Sequence, residues 1–416
     1  MFNYRITHIF LLFFVGTLVA CGGSGSGDSG SLNDGNNGAG AAAATGDSRG
    51  CTYVIDADIT SPTRLVNTPS DCDYLITRWV EVRSLLEIEP GTVIRSEADE
   101  RLLVEGGELR AIGTAQQPIV FEGLVNVQGF WEGIDVRSAR GITMDYVNIK
   151  DAGQVCNIIF CPDVGFFVEN TDLSFTNSSV SNSYVEGMVI EDSTTITAFG
   201  NNRFYGNGLR GLVMDIELIP ALDVFSDYFG INQPNGIPAV GVRSGDQESG
   251  GIFVWKAINV PYNVQGFMNI EGGILRLNPG VQIMFDEEAW MTVRGNGVLQ
   301  SLGTADFPVF FFGSVARAGH WEGISMSDTN FTTNVLQHTV ISHTGNTENL
   351  SPSFAALRMD EAYITLVNST FSDNAQWGIY CTEADFNDEL SVIVDGGGNT
   401  FFNNAGGDLP SFCSIQ

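Results

Sequence analysis

A tetrapeptide occurs twice in this 416-residue chain: Trp-Glu-Gly-Ile occupies residues 131–134 and again residues 321–324. The similarity continues upstream at the same offset of 190 residues, where Leu-Arg-Ala-Ile-Gly-Thr-Ala at 109–115 aligns with Leu-Gln-Ser-Leu-Gly-Thr-Ala at 299–305. Farther out, the offset changes by only a residue or a few. Insertions are therefore confined to the connections between repeating segments. This self-similarity is typical of a stacked-repeat architecture, in which each unit buries its apolar face against the next.

Short strands, not helices, are predicted along the chain. No stretch carries a sustained apolar stripe with the helical period of about 3.6 residues. Short apolar or alternating runs bounded by Gly, Asn, Asp and Ser occur throughout, and the 28 Phe and 49 Gly residues suit buried strands joined by tight turns. The predicted strands include 85–88, 102–104, 119–121, 134–136, 144–149, 166–168 and 188–190, followed by 274–277, 291–293 and 309–312.

A short phrase recurs between the predicted strands. It reads Asn-Arg-Phe-Tyr-Gly-Asn at 202–207 and Asn-Thr-Phe-Phe-Asn-Asn at 399–404, with shorter forms at 179–182 and 370–374. The phrase resembles the repeat of the right-handed parallel β-helix proteins, the pectate-lyase-like superfamily. The resemblance implies that the apolar residue after the first Asn points into the lumen of the helix and that the second Asn lies in a turn. Asn and Gly suit such turns because they tolerate left-handed backbone conformations.

We therefore expect an all-β chain that forms a single-stranded right-handed parallel β-helix, a solenoid built from two tandem repeats of about 190 residues. The β-helix is predicted to span residues 51–416, with a first half at about 51–245 and a second half at about 246–416. Residues 1–20 are predicted to be a signal peptide and residues 21–50, which are rich in Gly, Ser and Ala, a flexible tether.

The amino terminus indicates export and a lipid anchor. Arg5 precedes an apolar segment at 9–15 that is too short to span a bilayer. The sequence Leu-Val-Ala-Cys at 18–21 resembles the lipobox of bacterial lipoproteins, which implies that Cys21 is diacylated and becomes the new amino terminus. Two glycines follow Cys21 in place of an Asp, which favours the outer membrane of a Gram-negative bacterium. The alternative is an ordinary signal peptide followed by a chance cysteine.

Six further cysteines follow Cys21, an even number in a chain destined for an oxidising compartment. Six cysteines allow 15 connectivities. Proximity in the sequence favours three local disulfides: Cys51–Cys72, Cys156–Cys161 and Cys381–Cys413. A zinc site is disfavoured because no His lies at finger-like spacing from a pair of cysteines.

The charge is one-sided, with 49 acidic against 19 basic residues and a formal net charge of -30. Nucleic acid is excluded as an expected partner, because phosphate binding depends on clustered Lys and Arg and the only lysines are Lys150 and Lys256. The surplus of acids is interpreted as a solubilising surface. Recruitment of calcium by carboxylates is the alternative; otherwise we expect no cofactor.

The resemblance also suggests where to look for catalysis. Enzymes of the superfamily that cleave acidic polysaccharides use Asp or Glu clusters to hold calcium and Arg or Lys as the base, and hydrolases use paired Asp residues. The candidates here are Asp135, Arg137, Asp145, Lys150 and Asp151. At the repeat offset the second half has Ser325, Gln337 and His343. Because the halves do not share a catalytic set, we interpret these acids as chance placements and predict no catalytic residue.

The duplicated tetrapeptide offers two further candidates. Glu132 and Glu322 are 190 residues apart, too far for the separation of about 5–9.5 Å that paired catalytic carboxylates need. Trp131 and Trp321 are interpreted as packing residues beside a turn, and stacking on carbohydrate is the functional alternative.

Metal binding is weakly indicated. His338 and His343 flank a strand-like segment at opposite-face spacing, and His320 lies nearby; we interpret all three as isolated turn or surface residues. The acidic run at 286–288 lacks the spacing of an EF-hand loop and is interpreted as a solvated turn.

From the sequence we expect a monomeric lipoprotein of the cell envelope whose solenoid is an adhesive or structural module. Its expected partners are the membrane, through the anchor, and a glycan or another surface protein. A polysaccharide lyase or glycoside hydrolase is the alternative, because the fold hosts both enzymes and binding proteins.

Overall fold

The computed structural model describes residues 50–154, 163–191, 193–345, 355–382, 391–411, 413 and 415–416. In these ranges the chain is all-β, with 38 short strands and one 3-10 helix, Ile216–Ala221. No helix in the described ranges is long and apolar enough to cross a membrane.

The strands are numbered in chain order. The first nineteen are β1 Tyr53–Ile55, β2 Thr63–Leu65, β3 Tyr74–Ile76, β4 Val80–Val82, β5 Leu85–Ile88, β6 Val93–Ser96, β7 Arg101–Glu105, β8 Glu108–Ile112, β9 Ile119–Gly123, β10 Gly133–Arg137, β11 Gly141–Asp145, β12 Val147–Lys150, β13 Val164–Glu169, β14 Asp172–Thr176, β15 Ser179–Ser181, β16 Glu186–Ile190, β17 Thr195–Gly200, β18 Arg203–Tyr205 and β19 Leu212–Met214.

The 3-10 helix then precedes the second set of strands. These are β20 Val240–Val242, β21 Gly245–Gln247, β22 Ile252–Trp255, β23 Tyr262–Val264, β24 Phe267–Ile270, β25 Ile274–Leu277, β26 Gln282–Phe285, β27 Trp290–Arg294, β28 Val298–Leu302, β29 Val309–Gly313, β30 Gly323–Ser327, β31 Val335–Gln337, β32 Thr339–Ser342, β33 Ala355–Asp360, β34 Tyr363–Val367, β35 Thr370–Ser372, β36 Trp377–Cys381, β37 Val392–Asp395 and β38 Thr400–Phe402.

The strands form five parallel sheets, named here A to E. Sheet A has the order β1-β3-β6-β9-β12-β15-β18, sheet C the order β17-β14-β11-β8-β5-β2, sheet D the order β21-β24-β27-β30-β33-β36 and sheet E the order β22-β25-β28-β31-β34-β37. Sheet B has thirteen strands in the order β38-β35-β32-β29-β26-β23-β20-β19-β16-β13-β10-β7-β4. Most strands therefore pair with the strand three places later. The chain visits three sheets in turn and returns one strand farther along, which is compatible with a solenoid of stacked coils.

The two copies of the duplicated segment lie on different sheets. In the first copy the consecutive strands β9, β10 and β11 belong to sheets A, B and C. Their counterparts β29, β30 and β31 belong to sheets B, D and E. The change occurs around the 3-10 helix, where β19 and β20 pair directly with each other in sheet B. Equivalent residues of the two copies are thus displaced by one sheet.

Alternating side chains fill the interior in continuous rows. In β9, Ile119 and Phe121 are buried and belong to one core cluster that runs through the described coils. Phe175, Phe204 and Tyr228 lie in consecutive coils with ring centroids 6.5 Å and 5.8 Å apart; the first pair is tilted and the second is stacked. Phe204, the apolar residue of the recurrent phrase, therefore points inward. Equal positions meet because parallel strands of successive coils pair in register.

Left-handed residues mark the corners, and one of them corrects a predicted strand. A single strand at 144–149 was expected, but β11 ends at Asp145 and β12 begins at Val147. Tyr146 between them has φ 53°, which turns the chain from sheet C to sheet A. The prediction was wrong because the apolar pattern continues through this corner with no Gly or Asn to mark it.

Buried asparagines connect successive turns. The side-chain amide of Asn207 donates to the carbonyl of Val180 at 3.2 Å and to Oδ1 of Asn235 at 2.9 Å. Its own Oδ1 accepts from the backbone N–H of Ser183 at 3.0 Å. Asn374 accepts from the N–H of Thr344 in the same way. These side chains satisfy backbone groups that the turns leave without strand partners.

Disulfide bonds join Cys51 to Cys72 and Cys381 to Cys413, with Cα atoms 4.5 Å and 5.4 Å apart. The expected pair Cys156–Cys161 and the expected lipidation site Cys21 lie outside the described residues. At the carboxyl end, Gly407 and Ile415 form parallel bridges to Trp377 and Ile393. The segment after β38 thereby pairs with β36 and β37, the last strands of sheets D and E, and is also attached by the Cys381–Cys413 disulfide.

Replacing Asn207 by Ala is expected to lower the free energy of unfolding by about 2–4 kcal/mol, because it leaves more than one buried backbone group without a partner. Denaturant titration measures the change. Asn126→Ala, at an exposed position, is the control and is expected to change stability by less than about 0.5 kcal/mol. Equal stability of the two variants would show that the asparagine contacts contribute nothing.

Candidate binding site on the outer face of sheet B

The outer face of sheet B carries a row of side chains at equal positions on consecutive strands. The strand register aligns Leu103, Asp135, Phe167, Val189 and Val213. Their strand neighbours on either side point into the core, so this row faces outward. Phe167, Val189 and Val213 pack in an apolar cluster of their own, separate from the interior.

A first cluster of charges surrounds Asp135. Arg101 places Nη1 3.2 Å from Oδ2 of Asp135 and Nε 3.3 Å from Oε2 of Glu132. The guanidinium of Arg101 also lies 3.5 Å from the ring centroid of Trp79. From the other side, Nε of Arg137 is 2.9 Å from Oδ1 of Asp135. Both carboxylate oxygens of Asp135 therefore have cationic partners.

Burial raises the pKa of Asp135, although Arg137 and Arg101 act to lower it. Burial also raises the pKa of Glu132, again against the effect of Arg101. Since both carboxylates are held by arginines, neither is positioned as a free nucleophile or base.

A second cluster centres on Arg210. Its Nη1 is 3.0 Å from Oε1 of Glu186, its Nε donates to Oδ1 of Asn263 at 2.8 Å, and its Nη2 is 3.5 Å from Oδ2 of Asp286. The side chain lies over Gly241, where an added Cβ would be 3.0 Å from Cδ of Arg210. Burial raises the pKa of Glu186, and Arg210 opposes this. Gly241 thus leaves the space that Arg210 needs to cross the sheet.

A groove of about 320 Å³ runs along this face. Its floor is the apolar cluster of Phe167, Val189 and Val213; its sides are formed by Glu186, Glu191, Arg243 and Gln265. Arg243 forms ion pairs with Glu191 and, at 3.4 Å, with Asp215. An apolar floor between fixed charges of both signs suits the binding of an extended ligand more than bond cleavage.

The structure does not bring the five candidate catalytic residues together. Asp135 and Arg137 lie on sheet B, Asp145 ends a strand of sheet C, and Lys150 ends a strand of sheet A. Asp145 accepts hydrogen bonds from the side chains of Thr176 and Asn177 at 2.8 Å and 2.7 Å. These contacts tie Asp145 to the neighbouring coil.

Lys150 and Asp151 have structural partners of their own. Lys150 is 2.6 Å from Oε2 of Glu122, and Asp151 accepts from Nδ2 of Asn182 at 2.6 Å. Burial acts to raise the pKa of Glu122, but hydrogen bonds from Lys150 and Arg95 outweigh it and hold the pKa below its usual value. The five catalytic candidates suggested by the sequence therefore lie on, or directly after, strands of three sheets, where their side chains contact neighbouring coils.

The two duplicated tryptophans are core residues. Trp131 is 1% exposed and Trp321 is 0% exposed. Their indole N–H groups donate to the carbonyls of Lys150 at 2.9 Å and Ser342 at 2.8 Å. The packing interpretation is confirmed, and carbohydrate stacking on these two rings is excluded.

Of the three candidate histidines, His338 and His343 lie in turns, whereas His320 is buried and not a surface residue. His338 and His343 stand at the two ends of β32, with φ of 44° and 67°. In the described ranges, no group of three His, Cys, Asp or Glu side chains is placed to hold a metal ion. In the acidic run at 286–288, Asp286 contacts Arg210 and Glu287 is 2.5 Å from Arg317.

The chain matches no protein-family profile, no curated protein and no solved structure. The residues that form the groove were not singled out from the sequence. Phe167, Val189 and Val213 resemble any other strand residues until the coil lengths are known. A glycine two residues before each of them, Gly165, Gly187 and Gly211, is a local signal shared by the three.

His320 occupies the second-copy position of Phe130. A Cβ added at Gly313 would be 2.8 Å from Cδ2 of His320, and one added at Gly123 would be 2.9 Å from Cδ1 of Phe130. His320 is 4% exposed, and burial lowers its pKa, opposed by Glu287. A titratable ring thus replaces an apolar one in an equivalent site.

We expect His320 to make the fold less stable in mild acid. Its folded-state pKa lies below the unfolded value of about 6.5, so the unfolded chain binds more protons and stability falls as pH decreases from about 6.5 to the folded pKa. His320→Phe removes this component. Unfolding free energies of both proteins, measured from about pH 8 to about pH 5, are expected to diverge in favour of the variant. A constant difference over that range would contradict the assignment to His320.

Proposed function

We propose that this chain is a lipid-anchored protein of the cell envelope whose body is one right-handed parallel β-helix built by duplication. The parallel sheets and the return of the chain to each sheet one strand farther along support this architecture. Right-handed crossovers between parallel strands of one sheet are the rule, which supports the handedness. The body is proposed to act as a monomeric binding or structural module.

The proposed anchor is Cys21, with residues 1–20 as the signal peptide and residues 21–50 as the tether. The support is the sequence Leu-Val-Ala-Cys at 18–21 after a short apolar segment. Two acyl chains suffice for stable attachment, whereas one gives only marginal binding. The glycines after Cys21 support placement in the outer membrane.

Replacing Cys21 by Ser is expected to release the protein from the membrane fraction, because the lipid chains have no other attachment site in this proposal. Fractionation of cells and metabolic labelling with palmitate measure the effect. Cys51→Ser is the control, since it replaces another cysteine, the one bonded to Cys72, without touching the lipobox, and is expected to leave the protein membrane-bound. A Cys21→Ser protein that stays with the membrane would refute the anchor.

The proposed activity is the binding of an extended partner, a glycan or a segment of another surface protein. The observation that carries it is the groove on sheet B, where the apolar floor of Phe167, Val189 and Val213 lies between arginine–carboxylate pairs. Because the charges are already paired, the face is preorganised and loses little side-chain freedom when a ligand binds.

A polysaccharide lyase or hydrolase is the second candidate. One observation favours it: burial raises the pKa of Asp135 and of Glu186, which is the direction that a general acid requires. Their arginine partners argue against it, because they occupy the carboxylates in the absence of substrate.

Replacing Val189 by Arg is expected to weaken partner binding by at least about tenfold, because the new side chain fills the groove and adds a charge to its floor. Retention on a panel of acidic and neutral polysaccharides measures it, together with assays for unsaturated products and new reducing ends. Val127→Arg, at an exposed valine away from the groove, is the control.

Retention without new products, lost in Val189→Arg and kept in Val127→Arg, supports a binding module. Turnover of any polymer would instead support the enzyme, and Asp135→Asn and Glu186→Gln would then locate its acid. Equal retention by both variants would exclude the groove.

A further inference from the structure

The outer face of sheet D carries a pair of stacked aromatic rings. Phe267 on β24 and Trp290 on β27 are register partners on adjacent coils. Their ring centroids are 5.6 Å apart and their planes differ by 23°. Trp290 is 37% exposed, unlike the buried Trp131 and Trp321. Large aromatic surface is costly to leave in water, so an exposed and prearranged ring pair indicates a binding surface.

The coil after Trp290 leaves room beside its ring. The register partner of Trp290 on β30 is Gly323. Gly323 has φ of +122°, and a Cβ at this position would clash with the carbonyl oxygen of Ala355. Only glycine fits here, so no side chain can grow from this position over the Trp290 ring. Phe267 stacks on one side of the ring, and the register position on the other side carries no side chain.

In the first copy, the position equivalent to Trp290 is occupied by an arginine, Arg101. There Arg101 is the register partner of Gly133, and Trp79, the residue before β4, lies against Arg101. Arg101 lies over Trp79, is almost fully buried, and is held by Glu132 and Asp135. In the second copy, Trp290 replaces Arg101, and Ser325 stands at the position that corresponds to Asp135. The ion-paired Arg101 of the first copy is thus replaced in the second copy by the aromatic ring of Trp290, beside the hydroxyl group of Ser325.

The neighbouring row on the same face is polar. The register aligns Asp246, Asn269, Thr292 and Ser325, two residues along each strand from the aromatic row. Asn269 donates to Oδ1 of Asp246 at 2.7 Å, and Thr292 and Ser325 are half-buried hydroxyl residues. A ligand on Trp290 therefore meets hydrogen-bonding groups spaced by one coil, about 4.8 Å.

The net charge of the chain disfavours an anionic ligand. Near the rings the acids are paired, Glu287 with Arg317 and Glu271 with Arg294, and Arg358 is the register partner of Ser325. The whole chain carries a net charge of -30. An uncharged ligand with one apolar face and several hydroxyl groups complements the site better than an acidic polymer does.

We propose that Phe267 and Trp290 form a binding site for the pyranose rings of an uncharged glycan. The C–H face of a sugar stacks on the electron-rich face of Trp290, and its hydroxyl groups bond to Thr292 and Ser325. The site lies on a different sheet from the groove and has a different chemistry, so it does not rest on binding in the groove.

The test measures binding of two uncharged oligosaccharides, cellohexaose and mannohexaose, and of oligogalacturonate as the anionic comparison, by calorimetry and by saturation-transfer NMR. Wild-type protein is expected to bind at least one uncharged oligosaccharide and to bind it more tightly than oligogalacturonate. Trp290→Ala is expected to weaken that binding by at least about tenfold, and Trp290→Phe by less, because it keeps an aromatic face.

Trp79→Ala is the matched control: this ring is also exposed, at 42%, but an arginine, Arg101, lies over it in place of a second aromatic ring. It is expected to bind uncharged oligosaccharide as the wild type does. Failure of both uncharged oligosaccharides to bind, tighter binding of oligogalacturonate, or unchanged binding in Trp290→Ala would overturn the proposal. Thermal melting of each variant confirms that it is folded.

Discussion

Hydrogen bonding between the backbones of successive coils is the constraint on which the rest of this structure depends. The sheets are parallel throughout, so each strand finds its partners on the coil before and the coil after it. A strand of three to six residues closes no hydrogen bonds alone and gains order only from its neighbours. At the corners the ladder is interrupted, and buried side chains such as Asn207 and Asn374 provide the missing partners. The tail bridge at Ile415 continues the same pairing at the last strand of sheet E.

In-register stacking also decides what the surface looks like. Residues far apart in sequence become neighbours on adjacent strands. One substitution therefore alters the contacts along a whole row of side chains and not those of a single residue. Arg101 and Asp135 are 34 residues apart and form an ion pair because they are close in consecutive strands of sheet B. Trp290 and Phe267 stack for the same reason in sheet D. Both candidate sites thus result mainly from residue identity at a fixed register, although Glu191, Arg243 and Gln265 of the groove follow directly after their strands.

Much of the architecture could be predicted from the sequence because its signals are local. The duplicated tetrapeptide and the short apolar runs are visible along the chain, and the resemblance of the recurrent phrase implies that Phe204 points inward. The corner at Tyr146 could not be predicted, since a left-handed Tyr carries no sequence mark. The groove could not be predicted either, because its residues share a face only after every intervening turn has been given its length. The candidate catalytic residues are dispersed for the same reason: Asp145 and Lys150, 10 and 15 positions after Asp135, end strands of different sheets.

The displacement of the second copy by one sheet has a consequence for how the molecule could diversify. Had the copies stacked in phase, every residue of the ancestral unit would face the same direction twice, and a ligand lying along the axis would touch both versions of each site. The junction at the 3-10 helix instead turns the descendants of one surface toward different surroundings. A substitution in one copy then leaves unchanged the surface that the other copy presents to a ligand. Doubling the gene supplied this molecule with two independent faces in place of a single longer one.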